Sequence, residues 1–163
     1  MYYSKLNSLD MGNGPGWRVS LFVSGCRNRC KGCFNPETWS FTYGKEFTKE
    51  TLHELMEALD SPHVSGLSIL GGDPFEPENR EQVFEICSYV ARYRPDKDIW
   101  LWTGYSWEDL KDHEIMWVID VLVDGKFEED KKDLRLKWRG SSNQRVIDVQ
   151  ASRRAKEVVL WSE

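Results

Sequence analysis

Trp17-Arg-Val-Ser-Leu-Phe-Val-Ser24-Gly25-Cys26-Arg-Asn-Arg-Cys30-Lys-Gly-Cys33 is the stretch from which the rest of the chain is read. Its first half alternates. Trp17, Val19, Leu21 and Val23 fall on one side, and Arg18, Ser20, Phe22 and Ser24 on the other, which is the period of a strand. Its second half places three cysteines in the spacing Cys-x3-Cys-x2-Cys at the C-terminal end of that strand. Parallel α/β sheets bind their ligands beyond that end. Thiolates are soft anionic ligands suited to zinc or to an iron–sulfur cluster. A cubane cluster normally takes four cysteines. The remaining one, Cys87, lies far away, on the apolar face of a predicted helix, where a small buried hydrophobe is the simpler reading. A trio without a partner leaves one metal position open, as a catalytic site does.

Outward from this stretch the chain alternates strands and helices. Residues 10 to 16 hold three glycines and a proline and form a loop. Residues 34 to 47 are mixed in composition and also read as loop. Thr48 caps a helix whose apolar face is Leu52, Leu55, Met56 and Leu59, and Ser61-Pro62 ends it. Gly66 to Leu70 is a strand closed by Gly71-Gly72-Asp73-Pro74, and a helix follows from about Pro77 to Tyr93. Asp98 to Thr103 is a third strand. Ser106 and Asp109 form a capping pair for a short helix, with a further turn reaching Ile119. Val121 to Asp124 is a fourth strand, followed by a charged loop over 126 to 137. Residues 138 to 149 supply one or two more strands, and 151 to 161 a terminal helix. The order predicts parallel strands with right-handed crossovers. A closed eight-unit barrel needs ~250 residues. A chain of 163 is one domain, residues 1–163, and can build only a partial barrel or an open curved sheet with five or six strands.

Composition narrows the function classes. Hydrophobic residues make up 40% of the chain, enough for a globular core. The net charge is −5 and no basic run is long, which argues against a nucleic-acid partner. No apolar run approaches a membrane span and the first residues lack an apolar signal core, so a cytoplasmic protein with no membrane contact is expected. That reducing compartment also disfavours disulfides. His53, His63 and His113 are scattered, and none is spaced to complete a metal site with the cysteines.

The cysteine spacing, with Gly71-Gly72-Asp73-Pro74 downstream, resembles the radical S-adenosylmethionine enzymes. Asn13-Gly-Pro-Gly16, Leu21-Phe-Val-Ser-Gly-Cys26, Gly32-Cys33, Trp102-Thr-Gly104, Asp124-Gly-Lys126 and Trp138-Arg-Gly-Ser-Ser-Asn-Gln144 are similar, in order and spacing, to the glycyl-radical activases that serve anaerobic ribonucleoside-triphosphate reductase. Gly32 fits that subgroup. Asn28 stands where the subgroup often has histidine.

The resemblance implies an α/β fold of mostly parallel strands, a shortened, open partial (β/α) barrel of the radical S-adenosylmethionine type. Cys26, Cys30 and Cys33 would hold a 4Fe–4S cluster whose fourth iron chelates S-adenosyl-L-methionine. Reductive cleavage would yield a 5′-deoxyadenosyl radical, which takes hydrogen from a glycine of the reductase large subunit; a flavodoxin-like reductant would supply the electron. Gly71, Gly72 and Asp73 would hydrogen-bond the methionyl ammonium; a plain strand-end turn is the alternative. Gly32, Cys33 and Phe34 would line the adenine side, with core packing equally open for Phe34. Thr103 and Asp124 end parallel strands and could face one cavity, although Asp124 also suits the turn before Gly125. Lys126 could meet a ligand carboxylate or stand in solvent. Asn143 and Gln144 could close the cavity or bond along a sheet edge. Arg27 and Arg29 could raise the cluster potential or attract a reductant. Two other functions stay open: a radical enzyme acting on a small molecule, and a structural zinc or iron–sulfur carrier module. The zinc module would need a fourth ligand.

Overall fold

The computed structural model describes all residues from Met1 to Glu163. It is an α/β fold built on one seven-stranded open sheet with the strand order β3-β1-β2-β4-β5-β6-β7. The strands are β1 (Tyr2–Asp10), β2 (Trp17–Val23), β3 (Lys45–Glu46), β4 (Val64–Gly71), β5 (Asp98–Trp102), β6 (Val121–Asp124) and β7 (Arg145–Asp148). The helices are α1 (Lys49–Leu59), α2 (Pro77–Tyr93), α3 (Trp107–Leu110) and α4 (Val149–Ala155). β2, β4, β5 and β6 are parallel neighbours, as the alternating order predicts. The edges are antiparallel: β1 on β2, β3 on β1 and β7 on β6. The sheet is therefore mixed, with a parallel centre. No helix is long and apolar enough to cross a membrane.

Capping explains where the helices begin. The Thr48 hydroxyl accepts the Thr51 N–H and the Thr51 hydroxyl accepts the Thr48 N–H; Ser106 and Asp109 close the same kind of box on α3. The inward faces of α1 and α2, among them Leu55, Leu59, Val83, Ile86 and Cys87, pack on Val19, Leu21, Leu67, Ile69, Ile99 and Leu101 of the sheet. Cys87 is the buried apolar side chain that the sequence predicts.

The other face of the sheet is different. It carries Arg18, Ser20, Ser68, Trp100, Val121 and Val123, all buried. The alternation of β2 therefore marks two buried faces, one covered by helices and one partly polar. On that second face Trp100 meets Trp102, Trp138 and Trp161, with ring centroids 4.9 to 6.2 Å apart.

Three elements differ from expectation. β1 is a nine-residue strand that the alternation test does not find. Its register shifts between Tyr3 and Lys5. Tyr3 and Leu6 both pack on the core although they stand three apart, so a bulge erases the period of two. β3 is only two residues long and lies in the stretch read as loop. The terminal helix stops at Ala155, because Lys156 turns left-handed at φ 58°. The tail beyond it returns along β7: Asp148 N–H donates to Val159 O, and Trp161 N–H donates to Val146 O, both at 2.9 Å. Four consecutive apolar residues, Val158 to Trp161, suit that extended pairing better than a helix.

Arg18 closes the end of the sheet where the parallel strands begin. Its guanidinium, fully buried, donates to Ser68 Oγ at 2.6 Å, Leu67 O at 3.0 Å, Asp98 Oδ1 at 2.6 Å and Pro15 O at 3.3 Å. Gly14 and Gly66 leave the space for it: a Cβ on either would come within 3 Å of the Arg18 side chain. Removing the counter-charge should strand this cation. Asp98→Ala is expected to cost about 3 kcal/mol, the low end for orphaning a buried charge, since the Asp98 side chain is 41% exposed and water can replace it. Urea unfolding checks this, with a lower midpoint and an unchanged slope.

Candidate iron–sulfur site

The cysteine loop leaves β2 through Ser24 and Gly25 and is pinned at both ends. Gly25 N–H donates to Thr38 O at 2.7 Å and Cys26 N–H to Trp39 O at 3.3 Å. The Asn79 amide of α2 donates to Ser24 O at 2.9 Å. Within the loop, Arg29 (φ 47°) and Gly32 (φ 75°) are left-handed, and Cys33 N–H closes a turn onto Cys30 O at 3.1 Å. These reversals bring all three thiols, free and half-buried, onto the wall of one cavity of about 470 Å³.

Gly71-Gly72-Asp73 forms the neighbouring wall. Gly72 N–H donates to Val23 O at 2.7 Å and Asp73 N–H to Gly25 O at 2.9 Å. Gly71 is at φ +107°, and a Cβ there would lie 2.6 Å from Val23 O; one on Gly72 would lie 2.6 Å from Gly25 O. The double glycine is thus required by the approach of β4's end to the base of the cysteine loop, whatever else it does.

Asp73 is 1% exposed. Its Oδ1 accepts from Thr103 Oγ1 at 2.7 Å and Phe75 N–H at 2.9 Å, and its Oδ2 from Gly104 N–H at 2.9 Å and Asn28 Nδ2 at 3.1 Å. Burial pushes its carboxyl above the usual carboxylate range against the pull of those donors. Burial, with the Asp73 and Glu76 carboxylates behind it, also pushes the Cys26 thiol up to about 11, and burial raises Cys30. A metal must displace these protons to bind.

The far wall is the strap from Gly125 to Gly140. Gln144 clasps it: its Oε1 accepts Gly140 N–H at 2.9 Å and Ser141 N–H at 3.1 Å, and its Nε2 donates to Gly125 O at 2.9 Å. Asn143 Nδ2 donates to Lys126 O at 2.7 Å. Phe34 and Phe127 face each other across the mouth with centroids 5.1 Å apart.

Cys26, Cys30, Cys33, Phe34, Gly71, Gly72, Asp73, Thr103, Lys126 and Gln144 all line this cavity. Asp124 does not. Its carboxylate lies on the helix side of the sheet, where it accepts Trp107 N–H at 2.7 Å and pairs with Arg145 at 2.5 and 3.1 Å. Side chains alternate along β6: Val121 and Val123 join the tryptophans while Leu122 joins the helical core. Asp124 thus shares the parity of Leu122. Gly32 stays outside against Glu129, and Asn143 is a strap anchor. Arg27 is held by Glu76 and Glu78, while Arg29 is exposed over Trp39.

Sequence reasoning assigned no role to several cavity residues: Asn28, Trp102, Phe127, Leu134, Trp138 and Arg139. Asn28 lies between two of the cysteines, and Trp102, Trp138 and Arg139 fall within the motifs that carry the resemblance; Phe127 and Leu134 carried no local signal.

Three thiols of the donor type that holds iron–sulfur clusters share this wall, and in this structure no three His, Cys, Asp or Glu side chains stand close enough together to hold a metal ion. Residues 12–147 match the family described as a 4Fe-4S single cluster domain. The chain is 46% identical over 146 residues to the anaerobic ribonucleoside-triphosphate reductase-activating protein of Enterobacteria phage T4, covering 90% of this chain and 93% of that one. It is 45% identical over 148 residues to the protein of that name in Vibrio cholerae, covering 88% and 96%. It is 42% identical over 150 residues to that of Escherichia coli K12, covering 90% and 97%. With a cysteine-lined cavity at the C-terminal ends of its parallel strands and such likeness along nearly its whole length, the chain belongs to the family of anaerobic ribonucleoside-triphosphate reductase-activating proteins.

Proposed function

We propose that the chain, acting as one domain in the cytoplasm, activates an anaerobic ribonucleoside-triphosphate reductase by installing a glycyl radical on its large subunit. One observation carries the reading: three thiols and a Gly71-Gly72-Asp73 wall share one cavity beyond the strand ends. Cys26, Cys30 and Cys33 are the residues that would hold a 4Fe–4S cluster with one iron left to S-adenosyl-L-methionine. A reduced cluster held there would supply the electron for S-adenosylmethionine cleavage, and with it the radical that would take hydrogen from a glycine of the reductase. The curved sheet acts as a partial barrel of the radical S-adenosylmethionine type. Its polar, tryptophan-rich face is the inner wall.

The residues of this chain divide the work. Gly71 and Gly72 bring backbone against the cysteine loop, and so set the edge along which the methionyl group lies. Lys126, exposed at the cavity wall and without a carboxylate partner, is placed to meet a ligand carboxylate. Phe34 and Phe127, with Gly140 beneath them, form an apolar lip for the adenine side and exclude water from it. Phe34 is 57% exposed and Leu134 84%; together they offer an apolar approach for the partner's glycine loop. The exposed Arg29 and Lys31 suit an acidic, flavodoxin-like reductant. No step requires nucleic acid or a membrane.

Two outcomes test the assignment. After anaerobic reconstitution, Cys26→Ala, Cys30→Ala or Cys33→Ala should lose the cluster absorbance and the glycyl doublet in electron paramagnetic resonance with the reductase. Cys87→Ala, buried in the core, should keep both; a doublet that persists in Cys30→Ala sinks the ligand assignment. Asp124→Ala should instead lower stability by about 2 kcal/mol, through the unpaired Trp107 N–H, and leave S-adenosylmethionine affinity within about twofold. Calorimetry of unfolding and of binding separates the two effects.

A further inference from the structure

A second cavity, of about 560 Å³, lies on the helix-covered side of the sheet and shares no residue with the one that holds the thiols. It is framed by α3, the turn at Glu114–Trp117 and the end of α4. Trp107, 6% exposed, lines it. The Trp107 Nε1 makes no hydrogen bond within the protein, unlike that of Trp102, and it is not among the sealed unpartnered atoms. It is an open donor on a side chain that is otherwise buried. Trp117, 71% exposed, carries the Arg153 guanidinium 3.3 Å from its ring centroid. Lys111 and Lys156 also line the cavity, and neither ammonium has a carboxylate partner. Lys156 stands at φ 58°, in the left-handed position past α4 that glycine usually fills. A lysine there is strained, and its exposed side chain makes no hydrogen bond or ion pair to offset that. Three cations thus meet two free carboxylates, Asp112 and Glu157, because Glu108 is drawn to Arg145. In a chain of net charge −5, that local excess is of the opposite sign.

We propose that this cavity binds a nucleotide: its base lies against the Trp117–Arg153 stack, its phosphates meet Lys111 and Lys156, and one of its oxygens accepts from Trp107 Nε1. An indole paired with a guanidinium is a flat platform on which a base stacks. Unpaired ammonium groups suit phosphate oxygens. A buried indole N–H with no acceptor in the protein requires one from outside. The volume lies within the roughly 300–1,000 Å³ of small-molecule sites. A purely apolar ligand would leave the lysines and the N–H unused, and a bare anion would leave the stack unused. A ligand that joins a ring to anions uses them all. The one hydroxyl that lines the cavity, Ser152, is already taken by Asp148 O and Val159 N–H, so the nucleotide is held here and not transformed.

Calorimetric titration of the iron–sulfur-reconstituted protein with ATP tests this. It is run under anaerobic conditions, without reductase, and with S-adenosylmethionine added to fill the thiol cavity. One ATP should bind per chain. Trp117→Ala and Lys111→Ala should each weaken it about tenfold and leave iron content and S-adenosylmethionine affinity unchanged. Lys156→Gly should weaken ATP by a similar factor yet raise the melting temperature of the metal-free chain, because glycine takes that backbone without strain. Asp112→Asn should tighten binding. Adenosine and inorganic triphosphate should each bind at least about tenfold more weakly than ATP. Absence of binding at about 1 mM ATP overturns the inference. So does loss of ATP binding once S-adenosylmethionine is added, which would put ATP at the thiols. Inorganic triphosphate as tight as ATP reduces the site to an adventitious ion only, and adenosine as tight as ATP removes the phosphate contacts; either result overturns it. Unchanged affinity in Trp117→Ala or in Lys156→Gly does the same.

Discussion

A buried carboxylate ties the C-terminal face of this sheet together. Asp73 joins the cysteine loop through Asn28, the end of β5 through Thr103 and Gly104, and the lead into α2 through Phe75. A buried charge is costly unless its lone pairs are filled. Filling them requires these three segments to hold a single relative position. The cysteine loop is tied to the same place by Asp73 N–H on Gly25 O, the Asn79 amide on Ser24 O and Arg27 N–H on the Glu76 carboxylate, and together with the Asp73 carboxylate these contacts fix the arrangement of the three thiols.

The two ends of the parallel strands carry opposite polar knots. At the start, the Arg18 cation is satisfied by carbonyls, a hydroxyl and Asp98. At the finish, the Asp73 anion is satisfied by amides and a hydroxyl. Between them the sheet is asymmetric in its packing. One face is sealed by α1 and α2 over aliphatic side chains. The other has no helix on it and is filled by tryptophans, a strap and the returning tail. That unequal covering places the cysteine-lined cavity on the tryptophan side of the sheet, beside the thiols.

Much of the centre was legible. β2 shows the alternation of a strand, β5 and β6 have the short apolar runs of strands buried on both faces, and Thr48, Ser106 and Asp109 mark helix starts through local capping chemistry. β1 was not legible, because a bulge puts Tyr3 and Leu6 on one face at the wrong spacing. Asp124 was misplaced for a subtler reason. Its position at a strand end was right, but the face it takes depends on the register of β6 against its neighbours, and parity sends it toward Arg145 and Trp107. Phe127 and Leu134 of the strap had no local signal, since the Gln144 and Asn143 anchors bring the strap over the cavity.

Cysteine spacing, the double glycine and the order of strands and helices are local properties of the chain, written in side-chain chemistry and backbone preference. They determine the class of fold, the donor type of the site and its place at the strand ends. Which side chains share the cavity was decided by tertiary structure alone, since that depends on strand parity, on the closing of a distant strap and on which buried polar groups claim one another. Asn28 and Asp124 show the difference: the chain names both, but only packing turns one toward the thiols and the other away.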